Sequence, residues 1–277
     1  MRRGLVCGRG SGLRLLHNTR CSKSEARILA LVPGAYGAHG GIARYNRDLF
    51  YAISNLSTVG EIVVLPRLVD QIVNDQMPSG VRQLPAPCNR WAFALKAFNV
   101  AFRELGFDLV FCGHLNLVAL AARIARHTKA KLWLQVHGIE AWQQTPPHIE
   151  RAATASDLVT SVSRFTRTRI LQQWWWIDPA RIRVLPNTLD AAFVPAPKSE
   201  TLIERYQLQH KRVILTVSRL VSSEAYKGHD RVISALPRLR KQFPDLVYLI
   251  VGEGDDQVRL KQLAKNLGQE NAPAPDL

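Results

Sequence analysis

The 277-residue sequence is poor in acidic residues, in cysteine and in long apolar runs. No apolar run reaches the roughly 18 residues that a membrane-spanning helix needs. The 4 cysteines form no CxxC pair and have no histidines at ligand spacing, so neither a disulfide framework nor a zinc site is indicated. No internal repeat or low-complexity tract occurs. These absences predict a globular protein of the reducing cytoplasm.

The shortage of acids leaves a formal net charge of +15, from 37 Lys and Arg against 22 Asp and Glu. Much of the excess lies before residue 27, where six cations accompany the single acid Glu25. We predict that residues 1–26 form a disordered basic leader. An organellar transit peptide, which is also rich in arginine and poor in acids, and a start codon set too early are the alternatives.

From Arg27 onward, short apolar runs rich in β-branched residues alternate with longer amphipathic runs, as in repeated βα units. Most of the short runs are apolar on both faces, which is typical of a parallel sheet covered by helices. The fold class is therefore predicted to be α/β and doubly wound. The predicted strands are Ile28–Val32, Glu61–Leu65, Asp108–Cys112, Lys131–Val136, Asp157–Val162, Ile182–Leu185, Val213–Val217 and Val247–Val251.

The stretch Phe193–Ser199 breaks this pattern because Pro195 and Pro197 lie within three residues of each other. Prolines so closely spaced indicate a linker between domains. We therefore predict a first Rossmann-like domain over residues 27–195 and a second, shorter one over residues 196–277.

Small and polar residues follow most of the predicted strands. In an open parallel sheet, ligands bind beyond the carboxyl ends of the strands, so these residues are the candidates for a site. They are Gly40 and Gly41, Gly113 and His114, His137 and Gly138, Ser163, Asn187 and Thr188, Ser218 and Arg219, and Gly252 to Gly254. Gly40 and Gly41 precede an amphipathic run, so the N–H groups of a helix start could approach a phosphate there. An ordinary flexible loop explains the two glycines equally well.

His137 follows the strand KLWLQV and precedes a glycine. This position favours a ligand contact as much as a structural role. Glu140, three residues later, could orient the imidazole or cap a helix. The adjacent Asp255 and Asp256 come just before the run Gln257 to Leu267 and are interpreted as N-terminal helix residues favoured by the helix dipole, so no metal site is predicted.

Arg219 and Lys227 lie between a predicted strand and a predicted helix. An arginine can bridge two phosphate oxygens and a lysine adds a compact charge, so the pair fits a diphosphate. The two cations would also neutralise the negative charge that develops on a diphosphate when it departs as a leaving group. Two solvated surface cations are the simpler alternative.

Seven motifs follow one another along residues 27–268. They are Gly40-Gly-Ile-Ala-Arg-Tyr45, Val136-His-Gly-Ile-Glu140, Ser161-Val-Ser-Arg-Phe-Thr-Arg167, Val184-Leu-Pro-Asn-Thr188, Leu215-Thr-Val-Ser-Arg219, Tyr226-Lys-Gly-His-Asp230 and Ile250-Val-Gly-Glu-Gly-Asp255. In this order they resemble the motifs of the retaining glycosyltransferases of family 4. The resemblance implies the GT-B fold, with two Rossmann-like domains, and transfer of a hexose from a nucleotide-diphosphate sugar with retention.

The resemblance also implies roles for individual residues. Gly40, Gly41, Arg219 and Lys227 would hold the diphosphate, and His137 would contact the transferred sugar, with no metal and no cofactor. We assign Ser163, Asn187, Gly252 and Gly254 to the same nucleotide-sugar site, because they also follow strands at the binding edge. The acceptor, a saccharide or a lipid-linked molecule, is not identified, and a peripheral contact with the inner face of a membrane is a further expectation.

The resemblance departs from the family in the second domain. Only two βα units are present there, and residues 269–277 no longer follow the family pattern. The family's loop with two glutamates, which contacts the ribose and sugar of the donor, has no counterpart in the chain. We therefore expect an incomplete second domain of low stability, and little or no sugar transfer by the chain alone.

Two other functions compete with glycosyl transfer. A protein that binds nucleic acid or an anionic membrane is favoured by the net charge and by the cluster of Arg123, Arg126 and Lys129. A dinucleotide-dependent oxidoreductase is favoured by Gly252 and Gly254, but Gln257 stands where the third glycine of that fingerprint belongs. Glycosyl transfer is the main prediction, and no nucleic-acid partner is expected.

Overall fold

A computed structural model describes residues 25–70, 76–104, 106–142, 144–189 and 193–269. The chain divides into two compact units, residues 1–190 and residues 191–277. The predicted basic leader lies outside the described residues except for Glu25 and Ala26. The boundary predicted for it was wrong by one residue, because Ala26 is the first residue of a strand.

The first unit is built on a seven-stranded sheet in which every strand pair is parallel. Its strands are β1 Ala26–Val32, β2 Val59–Pro66, β3 Val81–Gln83, β4 Leu109–Cys112, β5 Lys131–Val136, β6 Leu158–Ser161 and β7 Ile182–Val184. They lie in the order β3-β2-β1-β4-β5-β6-β7. The chain therefore adds strands on one side of β1 and then on the other, which is the doubly wound arrangement.

Five helices connect these strands: α1 Gly41–Ser54, α2 Arg90–Arg103, α3 Val118–Thr128, α4 Pro147–Thr154 and α5 Arg164–Gln173. Local chemistry sets several of their ends. The side chain of Asn89 accepts hydrogen bonds from the N–H groups of Trp91 and Ala92 and so begins α2. Lys129, in the left-handed conformation, ends α3.

The core of the first unit has two layers, one on each face of the sheet. Leu29 and Leu31 of β1 face a large cluster that includes buried residues of α2, α3, α4 and α5. Ile28 and Ala30, which alternate with them, face a smaller cluster with Phe50 of α1. Because successive side chains of a strand point to opposite faces, a strand covered on both sides is apolar throughout, as the sequence predicted.

The second unit is smaller in its described part. It contains α6 Glu200–Arg205, β8 Arg212–Val217, α7 His229–Gln242, β9 Leu246–Val251 and α8 Gln257–Asn266. β8 and β9 pair in parallel. Helices α7 and α8 cover one face through Ile233 and Leu260, whereas Leu215 and Val217 of β8 are exposed. One apolar face of the two-stranded sheet is therefore exposed in this unit.

The predicted fold class is confirmed, and each predicted strand is present within one or two residues at its ends. Three elements were missed: β3, α4 and α6. β3 has 3 residues and α6 has 6, too few for a periodic pattern. α4 follows the paired prolines Pro146 and Pro147, which were not recognised as a helix start.

No helix among the described residues is both long and apolar enough to cross a membrane.

Candidate functional site

The loops after β1, β4, β5, β6 and β7 emerge at one edge of the first sheet, because these five strands are parallel and adjacent. This edge carries residues 33–40 between β1 and α1, which we call the glycine loop. It also carries Gly113, His137, Ser163 and Asn187. All of the site residues predicted in the first domain therefore lie at the carboxyl edge of one sheet, where ligands bind in folds of this type.

The glycine loop ends at the start of α1. Gly40 has φ +96°, a conformation that favours glycine, and is followed by Gly41 as the first helical residue. A Cβ at either position would meet no atom within 4 Å, so packing does not require the two glycines. No side chain caps the helix and its first turn holds no acid, so no side chain of that turn competes with an anion for the positive end of the helix.

Two residues of α1 hold the glycine loop in place. The Nδ2 of Asn46 donates to the carbonyl oxygen of Gly34 over 2.8 Å. The guanidinium of Arg47 donates to the carbonyl oxygens of Ala35 and Ala38 over 2.7 and 2.9 Å. The loop is thus fixed before any ligand arrives, which lowers the conformational cost of binding.

His137 is half-buried and is held by hydrogen bonds on two sides. Its Nε2 lies 3.0 Å from the carbonyl oxygen of Gly113. Since a carbonyl oxygen only accepts, Nε2 carries the proton and Nδ1 is the acceptor in the neutral ring. The backbone N–H of His137 donates to Oε1 of Glu140 over 2.5 Å. Glu140 therefore holds the loop through the backbone, whereas the prediction had it orient the imidazole or cap a helix.

The surroundings of His137 favour the neutral form of its ring. Burial lowers its pKa below the ordinary value of 6.5, and the nearby His114 lowers it further, whereas Glu140 and the Gly113 carbonyl partly oppose the shift. Burial also lowers the pKa of His114, whose ring lies 6.4 Å from that of His137. The rings of Tyr45 and His137 are nearly perpendicular, with their centroids 5.2 Å apart.

Below His137 lies a buried polar network that the sequence analysis missed. The Tyr45 hydroxyl donates to Oε1 of Gln135 over 2.8 Å, and the Thr160 hydroxyl donates to the same oxygen. The indole N–H of Trp133 donates to Thr160 over 2.6 Å. A buried Gln in a central strand needs such partners, so Gln135 in the otherwise apolar run KLWLQV was the available signal.

Ser163 and Asn187 occupy different environments at this edge. The Ser163 hydroxyl caps α5 by accepting the N–H of Thr166 over 3.1 Å, which gives it a structural role. Asn187 is exposed in the loop that follows β7. Their predicted contacts with a nucleotide sugar stay predictions.

In the second unit, Arg219 and Lys227 are brought together by Glu224, which the sequence analysis did not assign. Lys227 Nζ lies 2.5 Å from one carboxylate oxygen of Glu224, and the guanidinium of Arg219 pairs with the other. Lys227 is followed by Gly228, whose left-handed φ of +77° precedes the first turn of α7. Two cations and a helix start therefore lie next to one another, an arrangement suited to an anion.

A second network lies beside these cations. The Ser218 hydroxyl is 2.8 Å from Nε2 of the buried His229, and Nδ1 of His229 is 3.2 Å from the Tyr248 hydroxyl. The Tyr248 hydroxyl donates in turn to Thr216 over 3.0 Å. This network joins the end of β8 to the start of α7, and so supports the loop between Arg219 and Lys227.

Gly252 and Gly254 follow β9, and backbone packing explains both. Their φ angles are +148° and +155°. A Cβ on Gly252 would lie 1.9 Å from the carbonyl oxygen of Ser218, and one on Gly254 would lie 2.0 Å from that of Leu220. The glycines therefore allow the loop after β9 to pack on the loop that carries Arg219.

Asp255 lies just before the start of α8, as interpreted, but its carboxylate accepts hydrogen bonds from the N–H and the hydroxyl of Ser222, over 3.0 and 2.6 Å. Asp256 does precede α8, but its carboxylate pairs with Arg259 and makes no capping hydrogen bond. In the described parts of the chain, no group of three or more His, Cys, Asp or Glu could hold a metal ion.

Two family models match the chain. Residues 39–193 match the model described as Glycosyltransferase Family 4, and residues 198–272 match the one described as Glycosyl transferases group 1. The first match covers more than half of the chain, and the two together span both compact units.

Curated relatives are similar over part of their length. A GDP-mannose-dependent alpha-(1-6)-phosphatidylinositol monomannoside mannosyltransferase of Mycolicibacterium smegmatis is 34% identical over 172 residues, which is 60% of this chain and 44% of the relative. A Corynebacterium glutamicum enzyme named for the monoacylated form of that acceptor is 30% identical over 195 residues, 67% of this chain and 49% of the relative. The chain thus spans less than half the length of the curated relatives it matches.

Among solved structures, Anabaena HepE in complex with UDP and glucose matches with a TM-score of 0.69 at 20% identity. The match covers 89% of this chain and 67% of HepE. At this identity the similarity concerns the fold.

Proposed function

The chain belongs to glycosyltransferase family 4, and we propose that it transfers a hexose from a nucleotide-diphosphate sugar to an acceptor hydroxyl with retention. The match of residues 39–193 to the family model carries this proposal. In the proposed reaction, the bond between the anomeric carbon and the diphosphate breaks, and a bond to the acceptor oxygen forms. The proton of the acceptor hydroxyl passes to an oxygen of the nucleoside diphosphate as that group departs.

Residues predicted for the donor site carry the proposed chemistry. Arg219 and Lys227, held together by Glu224, would neutralise the charge that develops on the departing diphosphate. The unprotonated Nδ1 of His137 would accept a hydrogen bond from a hydroxyl of the transferred sugar. The glycine loop before α1 would offer N–H groups to a phosphate or to a sugar hydroxyl. Metal and cofactor are not required by this proposal.

We further propose GDP-mannose as the donor and a lipid-linked phosphatidylinositol mannoside as the acceptor. The names of the relatives at 34% and 30% identity support both choices. A lipid acceptor would bring the protein to the cytoplasmic face of a membrane.

The test measures binding and transfer separately, because the chain covers only 44% of the length of the Mycolicibacterium smegmatis relative. Calorimetry with GDP-mannose and UDP-glucose measures donor binding. Radiolabelled GDP-mannose incubated with phosphatidylinositol monomannoside in detergent measures transfer to lipid. We expect GDP-mannose to bind more tightly than UDP-glucose. We also expect the His137→Ala variant to lose any labelling of lipid that the unchanged chain shows. The proposal is wrong if the chain binds neither nucleotide sugar and labels no lipid.

A further inference from the structure

An open cleft of about 680 Å³ lies in the first unit, between the start of α4 and the end of α5. Its apolar wall consists of Pro146, Pro147 and the indole rings of Trp174 and Trp175. The volume falls within the roughly 300 to 1,000 Å³ of small-molecule sites, which combine apolar and aromatic walls with a few polar groups. The cleft therefore has the size and the lining of a site for a small ligand.

This cleft is separate from the candidate site at the carboxyl edge of the sheet. α5 begins beside Ser163 at that edge and ends at Gln173, which lines the cleft. A helix of 10 residues is about 15 Å long, since each residue adds roughly 1.5 Å. A ligand in the cleft would thus lie about one helix length from the edge. None of the residues assigned to the nucleotide-sugar site lines the cleft.

The three consecutive tryptophans beside the cleft have different surroundings. Trp174 is buried, and its indole N–H donates to Oγ1 of Thr145 over 3.0 Å. The ring of Trp176 stacks on that of Trp174 at a centroid distance of 5.8 Å, and its N–H donates to Oε1 of Glu150. Trp175 is 83% exposed, and its N–H has no partner among the described residues. Packing thus explains Trp174 and Trp176 but not Trp175.

The polar side chains of the cleft are neutral apart from one carboxylate. They are Gln144, Thr145, Gln173 and Glu150. Among the described residues that line the cleft there is no lysine, arginine or histidine, although the chain has a formal net charge of +15. A phosphate would find no counter-charge there and would lie near Glu150. Nucleotides and anionic lipids are therefore unsuited to the cleft.

Several of these polar groups are fixed by the fold, and others remain available to a ligand. The Nε2 of Gln173 donates to the carbonyl oxygen of Trp142, which holds the end of α5 against the segment before α4. In the described part of the chain, the amide of Gln144 and Oε2 of Glu150 have no hydrogen-bond partner. The cleft therefore offers a flat exposed indole, an amide that donates and accepts, and a carboxylate oxygen that accepts.

We propose that the cleft binds a neutral saccharide, with one sugar ring stacked on Trp175. A pyranose ring carries C–H groups that pack on an aromatic face, and its hydroxyls both donate and accept hydrogen bonds. Gln144 and Glu150 supply partners of both kinds. This proposal rests on the cleft itself and does not depend on the proposed transferase function.

Two other ligands use only part of this chemistry. A quaternary ammonium group suits an aromatic ring beside a carboxylate, but the positive charge of the chain disfavours the approach of a cation. A proline-rich peptide suits an aromatic groove, but proline has no N–H to donate, so Oε2 of Glu150 would stay unpaired. A saccharide uses both the indole and the polar groups.

Acrylamide quenching of tryptophan fluorescence tests the proposal on the full chain. The probes are glucose, maltotriose, cellotriose and α-1,6-linked mannotriose. We expect at least one trisaccharide to reduce the quenching, because a stacked sugar covers the exposed indole of Trp175. Trp175→Phe should abolish this protection, whereas Trp91→Phe should retain it. Calorimetry with the same trisaccharide should give a dissociation constant of about 1 mM, since an open cleft buries only one side of the ligand.

Single variants separate stacking from hydrogen bonding. Trp175→Ala should weaken trisaccharide binding about tenfold or more, because it removes the stacking surface. Gln144→Ala should weaken it about threefold or more through loss of a hydrogen bond. The matched controls are Trp91→Ala, an exposed tryptophan of α2, and Gln172→Ala, an exposed glutamine of α5 outside the cleft. Both controls should bind as the unchanged chain does. Circular dichroism and thermal unfolding show whether each variant is folded.

Several results would overturn the proposal. They include no binding of any probe, and equal binding by Trp175→Ala and the unchanged chain. Binding lost in His137→Ala but kept in Trp175→Ala would assign the saccharide to the carboxyl edge instead. Protection of Trp175 by decaproline or by choline, with none by the saccharides, would assign the cleft to that ligand. Saccharide binding through Trp175 in a chain that transfers no sugar would support the cleft and contradict only the proposed function.

Discussion

The Nε2 atom of His137 lies 3.0 Å from the carbonyl oxygen of Gly113, so the end of β5 is tied to the end of β4 through an imidazole. This hydrogen bond decides which nitrogen carries the proton. It leaves Nδ1 as the only ring atom that can accept a hydrogen bond from a ligand. The half-buried ring therefore combines a structural contact on one side with a candidate ligand contact on the other.

Replacing His137 by alanine should slow sugar transfer much more than it weakens nucleotide binding. The ring would contact the transferred sugar and not the nucleotide, and loss of one hydrogen bond made in the transition state lowers the rate by about tenfold or more. Steady-state transfer rates and calorimetry with the nucleoside diphosphate measure the two effects. His148→Ala, an exposed histidine on α4, is the control. A normal rate of sugar transfer by His137→Ala would show that His137 has only a structural role.

Replacing Arg219 or Lys227 by alanine should remove a preference for nucleoside diphosphates over monophosphates. Each charge-assisted contact with a phosphate contributes roughly 1.5 to 3 kcal/mol, so each variant should lose about tenfold or more in diphosphate affinity. The monophosphate affinity should change little. Calorimetry with both nucleotides measures the difference, and Lys241→Ala, also an exposed cation of the second unit, is the control. Equal affinity of the unchanged chain for both nucleotides would contradict a diphosphate site.

The folded state should lose stability as the pH falls below about 6.5, the ordinary pKa of histidine. Burial lowers the pKa of both His114 and His137, so the unfolded chain binds protons more readily than the folded one. The loss of stability begins as the pH falls to the pKa of these histidines in the unfolded chain. It is complete below their pKa in the folded chain. Protonation of His114 also breaks the hydrogen bond in which its Nδ1 accepts the N–H of Asn116.

Urea unfolding at about pH 7 and about pH 5 measures this loss of stability. His114→Asn should reduce the loss, because asparagine can accept the same backbone N–H but does not titrate in this range. His148→Asn should leave the loss unchanged. An identical pH dependence in the unchanged chain and in His114→Asn would show that His114 does not contribute.

Gly252→Ala should destabilise the second unit, whereas Gly41→Ala should not affect stability. A methyl group on Gly252 would lie 1.9 Å from the Ser218 carbonyl oxygen, and the φ of +148° disfavours any L side chain. Strain of this kind costs roughly 1 to 3 kcal/mol, so the thermal midpoint should fall by several degrees. Gly41 has open space around its Cβ position. Equal midpoints for the two variants would refute the packing role of Gly252.

The second unit should be cut by proteases before the first unit. Leu215 and Val217 expose one apolar face of the two-stranded sheet, and α7 contains Pro237, which cannot donate a helical hydrogen bond. Limited proteolysis followed by mass spectrometry should yield a protected fragment from about residue 26 to residue 189. Uniform resistance of both units would contradict the low stability expected for the second.

The sequence by itself determined the fold class and the family. Strands that are apolar on both faces, such as Ile28–Val32, predict a parallel sheet covered by helices, because both faces of such a strand must be buried. The residues that follow the strands could be identified as candidate site residues from the sequence, because their order along the chain places them at the carboxyl edge of the sheet. Among them are Gly40, His137 and Arg219. Local patterns carried this information, so no knowledge of contacts between distant residues was needed.

Only the tertiary structure decided what these residues contact. The bond between His137 and Gly113 joins positions 24 residues apart, and no local pattern encodes it. The same is true of Gly252, whose requirement for glycine comes from the carbonyl of Ser218 on another loop. Whether an apolar face such as that of α2 is buried or exposed also depends on what packs against it. The pattern along the chain indicates which residues are apolar enough to favour burial, whereas the folded structure determines which of them are buried.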